Sequence, residues 1–568
     1  MANKNPQNGV GFPPLPVGNS NWAEVKAEYW SADKTQLISG LLDKKSTVAI
    51  FTRPRRFGKT FAMRMLKTFF EKTDESNAHL FKGTKVWQKA EHRAEQGKYP
   101  VIFITFKDAK REDWRLTRMK IGAAIRDEYD RHAAAFVAKG CPETAKSFYR
   151  RICIKQEMPE DLDGALGILA AALHAYHKER PVILIDEYDS PINYAATHGF
   201  GAEALQFFRN FLSGAMKDGE HCRLGVITGI LRVAKEGVLS GLNNPKVYSV
   251  FDDAFSDCFG FTEEEVRGML ATFGHPEKID EAKDWYDGYR FGGCEIYNPW
   301  SLLNYADDGF TPKAYWLSTS SNDLVGDVLS RLSPEMRDTV VNLFEKKEGE
   351  ATISPDLGPY GLIQDNEEIL WSLLVHTGYL KVTAGPDANG TATLAFPNRE
   401  LRRVFRDDIL ARMKSQPSGQ FVGRLTRALS SGDAERFRKA LEDFLSVSAS
   451  YFDTAKEDFF HGLLLGLMAA LIESYEIRSN REEGDGRPDI LMKPRPGVTL
   501  PGVILELKSP KIPARASQKR IGTLLTAAAK EARKQIDEKR YAAEMEAAGI
   551  AVLKYGIGFS GKRVDLAW

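Results

Sequence analysis

Val48-Ala-Ile-Phe51, the turn Thr52-Arg-Pro-Arg-Arg-Phe-Gly-Lys-Thr60 and the stretch from Thr60 to Glu71 decide the fold of this chain. The first is a short apolar run that predicts a buried strand, and the last carries Met63, Leu66, Phe69 and Phe70 at helical spacing. Between them a basic turn ends in Gly58, Lys59 and Thr60. Strand, tight loop and helix in that order present backbone N–H groups at a helix N-terminus to phosphate oxygens, while a lysine reaches the terminal phosphates and a hydroxyl meets magnesium. Arg55, Arg56 and Phe57 belong to the same turn. The glycine expected five residues before Gly58 is Arg53, so a chance Gly-Lys-Thr in a basic turn stands as the competing reading.

Outward from this turn, VIFITF at 101–106, PVILID at 181–186 and RLGVITG at 223–229 are further short apolar runs with helix-like segments between them. Buried strands alternating with helices predict an α/β fold, a parallel sheet covered by helices on both faces. The second run ends in Asp186 and Glu187, the order expected if Asp186 holds a magnesium shell and Glu187 orients an attacking water. Strand-end acids also cap helices, but their pairing with Gly58-Lys-Thr60 favours phosphate chemistry. The third run ends at Thr228, placed to sense a terminal phosphate, with Arg232 as a charge-stabilising partner; an ordinary turn is an equal reading.

The first 20 or so residues, with Pro13, Pro14 and Pro16, predict an extended arm, taken as 1–30. The core built around the phosphate-loop turn is then expected over 31–260. After Phe259 short acidic helices and the aromatic stretch DWYDGYRFGGCEIYNPW at 284–300 predict a helical or winged lid and connector over 261–420, with the aromatic rings packed rather than stacking bases. A mixed α/β unit closes the chain over 421–568.

That unit holds a second constellation. Asp489, in Gly486-Arg-Pro-Asp489, is followed by Val503-Ile-Leu-Glu506-Leu-Lys508. Residues two apart in a strand share a face, so Glu506 and Lys508 point one way while Val503, Leu505 and Leu507 enter the core. The Pro- and Gly-rich 493–502 lets the Asp489 strand fold back as a hairpin. Carboxylates that hold magnesium against a scissile phosphate, with a lysine beside them, are the groups that phosphodiester cleavage requires. Glu457, in the first turn of an expected helix 456–474, is a further candidate metal ligand or simply a favourable charge at a helix N-terminus. Gln535 is either an active-site neighbour or a surface residue.

Composition sets limits on these readings. A chain of 568 residues predicts three or four domains of ordinary size. Its 78 basic and 77 acidic side chains nearly cancel, so nucleic-acid contact must be local, as in 508–540, where ten Lys/Arg face three acids. Five scattered cysteines without a C-x-x-C pair argue against a zinc site or a disulfide framework. His174 and His177 form an H-x-x-H with nothing nearby to complete a metal site. No signal core or membrane span is evident, and a cytoplasmic protein is expected.

PRRFGKT at 54–60, ILIDEYDSPI at 183–192, GILRVAKEGVLSGLNN at 229–244, WYDGYRFGGCEIYNPWS at 285–301 and YWLSTSSN at 315–322 together resemble the AAA-ATPase-like family of bacterial proteins that carry a C-terminal PD-(D/E)XK domain, kin to archaeal-type and STAND ATPases. In that family the arginine-rich loop without the first glycine is normal. The resemblance implies a P-loop NTPase sheet, a lid, a restriction-endonuclease-like C-terminal domain, and ATP and Mg2+ as cofactors. Three functions stay open: an ATP-hydrolysing protein whose nucleotide state controls a nuclease acting on DNA or RNA, a nucleotide-switched protein that oligomerises and uses the nuclease-like domain only to bind, and an ATPase with a structural C-terminal domain.

Overall fold

The apolar runs form the centre of a parallel sheet in the computed structural model, which describes residues 12–217, 219–231, 241–243, 245–318, 339, 343, 347–354, 367–405, 419–448, 464, 468, 471, 474–479, 486, 488–513, 516–560 and 563–568. The chain forms two units, Met1–Thr319 with Glu350–Leu401, and Ser320–Gly349 with Arg402–Trp568.

In the first unit β1 (Val48–Thr52), β2 (Val101–Thr105), β3 (Val182–Asp186), β4 (Leu224–Gly229) and β5 (Lys246–Tyr248) lie in the order β2-β3-β4-β1-β5, all parallel. Every residue of β1, β3 and β4 is buried, which is why they read as unbroken apolar runs rather than alternating ones. The helices Ala165–His177 and Gly201–Met216 pack Leu166, Leu169, Leu173, Phe208 and Phe211 into this core. Because the strands are parallel, Thr52, Thr105, Asp186 and Gly229 all end at one edge of the sheet, and the loops that follow them meet there.

Residues Trp22–Glu28, in the stretch expected to be an extended arm, are helical; Trp22 is buried and stacks on Phe81 at 4.6 Å. A capping box between Thr262 and Glu265 starts the helix Glu263–Thr272, and Lys34 pairs with Glu265 at 2.6 Å. The aromatic stretch packs as expected: Trp285, Tyr286, Tyr297 and Tyr305 share an apolar core with Val266 and Met269. A hairpin of β6 (Tyr289–Phe291) and β7 (Cys294–Ile296) follows. Strands β8 (Gly349–Thr352), β9 (Lys381–Ala384) and β10 (Thr391–Ala395) make a sheet in the order β8-β10-β9, preceded at β9 by the buried helix Glu367–Thr377.

The second unit is a five-stranded sheet of β11 (Tyr475–Ser479), β12 (Ile490–Pro494), β13 (Gly502–Lys508), β14 (Val552–Ser560) and β15 (Arg563–Ala567), in sequence order. Only β13 and β14 are parallel, and the helix Gln518–Glu538 lies in the connection that such a pair requires. One face buries Val503, Leu505 and Leu507 with Phe437 and Leu441; the other buries Ile504 with Ile536, Tyr541 and Met545. The helix Gln518–Glu538 presses so closely on β14 that a Cβ at Gly556 would sit 2.2 Å from the Ala529 carbonyl oxygen, and one at Gly558 2.2 Å from that of Leu525. Glycine is required at both positions for this contact.

Candidate nucleotide and metal sites

The loop after β1 turns through Gly58, whose φ of 79° lies in the left-handed region that glycine adopts without strain, and Lys59 opens the helix Lys59–Phe70. Lys59 is buried, and its ammonium donates to the carbonyl oxygens of Arg53 (2.9 Å) and Pro54 (2.8 Å). Burial holds its pKa below the ordinary lysine range, opposed by the charges of Glu187, Asp189 and Asp186. The Thr60 hydroxyl donates to Asp186 Oδ2 at 2.8 Å, and the Thr228 hydroxyl to Asp186 Oδ1 at 2.6 Å. Thr105, at the end of β2, adds a longer contact to Oδ2 at 3.4 Å. Three strand ends and the loop helix thus converge on one buried carboxylate, and Thr60 with Asp186 is a hard-oxygen donor set that fits magnesium.

Glu187 follows Asp186 with a φ of 53°, and Arg56 in the loop has a φ of 70°. Two non-glycine residues held left-handed at one site mark backbone strain sustained by the surrounding structure. Burial, foremost, raises the Glu187 pKa, with Lys59 and Lys110 opposing it. Asp189 is fully buried and accepts from the backbone N–H of Ile230 (2.8 Å) and Leu231 (2.9 Å), fixing the chain after β4 to the end of β3. Thr228, expected to sense a terminal phosphate, has its hydroxyl on Asp186. Phe57 is buried against Tyr289 and Phe291, and Arg55 is half-buried in the loop. Arg232 lies outside the described residues.

Arg53, which stands where a phosphate loop has its first glycine, is fully buried and turned away from the loop. Its guanidinium donates to the carbonyl oxygens of Thr52 (2.9 Å), Tyr248 (2.8 Å) and Phe255 (3.3 Å), and lies 5.3 and 5.1 Å from the rings of Phe259 and Phe291. It ties the end of β1 to the chain that follows β5, so the missing glycine is a structural arginine. Arg56 is wedged between the indoles of Trp300 (4.7 Å) and Trp316 (5.3 Å). Burial lowers its pKa to about 10, with Glu400 as the leading opposing charge. Glu400 is itself buried, accepts from the Trp316 backbone N–H at 2.9 Å, and is pushed up to about 7, mainly by burial. The phosphate loop is therefore in direct contact with the segment beyond the core sheet.

In the second unit Asp489 immediately precedes β12, which pairs antiparallel with β13 through Ile490 and Leu505, as the hairpin expectation required. Asp489 Oδ2 accepts from the Leu507 N–H at 2.7 Å, and the Asp489 N–H donates to Glu506 Oε2 at 3.3 Å. Each carboxylate thus accepts from the main chain of the neighbouring strand end. Glu506 is buried, and the Gln535 side-chain amide donates to its Oε1 while lying 3.4 Å from the Tyr541 hydroxyl. Lys508 is half-buried two residues beyond Glu506. The carboxylate oxygens of Asp489 and Glu506 are hard donors of the kind that fit a divalent cation. Glu457 lies outside the described residues.

Sequence reasoning passed over Asp189, Thr105 and Lys110 and left Gln535 undecided. The signal for Asp189 was its place three residues beyond Asp186, and for Thr105 its place at the end of a buried run; nothing in the sequence marked the Trp300 and Trp316 wedge.

Two family models match this chain. One, described as "Predicted AAA-ATPase", covers residues 16–239, and the other, described as "PD-(D/E)XK nuclease superfamily", covers residues 455–568. The chain joins an AAA-ATPase-like domain to a C-terminal PD-(D/E)XK superfamily domain. It is also similar to a protein of Azotobacter chroococcum mcd 1 described as "Uncharacterized protein in vnfD 5'region", with 27% identity over 410 residues, 71% of each chain. No described helix is long and apolar enough to cross a membrane.

Proposed function

We propose that this protein hydrolyses ATP at the site of Lys59, Thr60 and Asp186, and that its nucleotide state controls a magnesium-dependent nuclease of Asp489, Glu506 and Lys508 acting on DNA or RNA. The observation that carries the reading is the contact of Thr60 with Asp186 at 2.8 Å, the hydroxyl and carboxylate of two different strand–loop units meeting at the sheet edge. Thr60 and Asp186 would hold magnesium there, which would supply positive charge against the phosphates. The backbone of 55–60 cradles the phosphates, Lys59 exchanges its carbonyl partners for phosphate oxygens, and Glu187 orients the attacking water. In the C-terminal domain Asp489 and Glu506 hold the cation, Gln535 fixes the Glu506 carboxylate, and Lys508 positions water.

The Arg56 wedge supports control by nucleotide, because a loop that closes on phosphate must move an arginine held by Trp300, Trp316 and the Glu400 charge. Five free cysteines support a reducing, cytoplasmic setting. The test is ATP hydrolysis and cleavage of a mixed DNA and RNA panel, with Mg2+ and with or without ATP. Lys59→Ala should abolish the first activity and Glu506→Ala the second, each protein remaining folded. A wild type that does neither refutes the proposal; cleavage that survives Glu506→Ala refutes its nuclease half.

A further inference from the structure

A cleft of about 420 Å3 lies beside the phosphate loop and takes no part in the chemistry above. Its lining includes residues 289–293 of the β6–β7 hairpin and residues 380–385, which contain β9, with apolar surface from Val250, Phe251 and Val375 and with Pro54 of the phosphate loop. Each of the two strand segments contributes consecutive residues. A strand that turns one face to a cavity supplies every second residue, because successive side chains point to opposite faces. One that supplies all of them borders the cavity with its edge, where main-chain N–H and C=O groups project. The pairing agrees: among the described residues β9 pairs only with β10, as the outer strand of β8-β10-β9, and β6 only with β7. No residue of β9 is buried.

The charge of the lining has a sign. Lys381 on β9 and Arg290 on β6 face one acid, Asp253, whose carboxylate already accepts from the Gly293 N–H at 2.8 Å. Lys381 Nζ lies 3.2 Å from where a Cβ at Gly288 would stand, so it reaches from β9 to the start of β6, on the side of the buried Asp287. Arg290 is exposed, its Nε donating to the Gly292 carbonyl oxygen at 3.2 Å. A lysine alone guards many sheet edges against unwanted pairing, but a guard needs no apolar recess beside it.

We propose that this cleft binds an extended, acidic segment of a partner protein, added as a strand to the free edge of β9 with its carboxylates beside Lys381 and Arg290. Main-chain hydrogen bonds hold the segment, and its alternate side chains divide between the apolar surface and the two cations. The four residues of β9 span about 13 Å, which sets the length that pairs. Gly378, with a φ of 87°, leads into β9, and a Cβ there would stand 2.9 Å from Pro54 Cβ, so the β9 wall packs directly on the phosphate loop. The binding does not depend on ATP hydrolysis, and a protein that hydrolyses nothing would still show it.

The experiment titrates the full chain, without nucleotide, with acetylated and amidated peptides of about six residues, a common strand length, and reads the heat of binding. One peptide alternates valine and glutamate, one carries lysine in place of glutamate, and two further forms of the first are N-methylated at the valine amides or at the glutamate amides. The valine-glutamate peptide should bind and the lysine peptide should not. One methylated form should lose binding and the other keep it, because only alternate amides of an added strand face the edge. Arg290→Glu and Lys381→Glu, melting with the wild type, should each weaken binding about tenfold. Failure of every peptide to bind would overturn the inference, as would equal binding by both methylated forms or unchanged affinity in both variants. A concentration-dependent dimer in sedimentation that Lys381→Glu breaks up would give the edge to a second copy of the chain, and ATP affinity lost in the variants with no peptide bound would give the cleft to the nucleotide; either result overturns it.

Discussion

Arg53→Gly would give the loop the glycine that phosphate loops usually carry at that position, and it should weaken the protein rather than improve it. The substitution removes donors from the carbonyl oxygens of Thr52, Tyr248 and Phe255, at 2.9, 2.8 and 3.3 Å, all within a buried site. Each carbonyl left unpaired costs about 1–3 kcal/mol. The guanidinium also leaves the faces of Phe259 and Phe291, worth about 0.5–2 kcal/mol each. Against this, burial has lowered the Arg53 pKa to about 10, and removing the charge releases about 3 kcal/mol of desolvation cost. Water that enters the vacated space pairs some of the carbonyls, leaving a net loss of about 4 kcal/mol. A domain of this size should then melt roughly 10 °C lower. Calorimetry on wild type, Arg53→Gly and Arg53→Lys reads the effect, with Arg53→Lys falling between because one ammonium cannot fork to three acceptors. An Arg53→Gly protein that melts with the wild type and binds ATP more tightly would refute the assignment of Arg53 as a structural arginine.

Glu400 is raised from 4.5 to about 7, so the native state keeps a proton that the unfolded chain releases above pH 4.5. Stability should fall as pH rises from about 4.5 to about 7, by roughly 3 kcal/mol at most, and Glu400→Gln should remove this loss. Urea unfolding at pH 5 and pH 8 checks it, and a variant no steadier than wild type at pH 8 rules it out. Gly558→Ala should lift the helix Gln518–Glu538 off β14, costing about 1–3 kcal/mol and disturbing the Gln535 contact with Glu506; unfolding of the C-terminal unit measures this, and wild-type stability would contradict the packing. Gln535→Leu should weaken divalent-cation binding with little change in melting, read by calorimetric titration with Mg2+ or Mn2+, and equal affinities would remove Gln535 from the site.

Much of this architecture was legible because burial on both faces leaves a local mark. Strands β1, β3 and β4 have no exposed residue, so each is an unbroken apolar run, and the acids or hydroxyls that end them stand out. The hairpin that joins Asp489 to Glu506 was readable from strand periodicity and a Pro- and Gly-rich turn. Strand β5 was not, since it has three residues and one of them is exposed. The helix Trp22–Glu28 was hidden by the prolines before it. Arg53 looked like a defect because its partners Tyr248 and Phe255 lie some two hundred positions away and are engaged through main-chain oxygens, which no residue type advertises. Gln535 stayed ambiguous for a similar reason: a helix shows its spacing in sequence, but which residue of it faces a neighbouring strand depends on Gly556 and Gly558 admitting the close approach.

The placement of Arg56 between two indoles gives the molecule a built-in optical gauge. Tryptophan emission responds to a cation moving across the ring face, so any rearrangement of the turn that frees this side chain should alter the intrinsic fluorescence of Trp300 and Trp316. Loop closure could then be followed in unlabelled protein, in real time, and apart from any chemistry that comes after it.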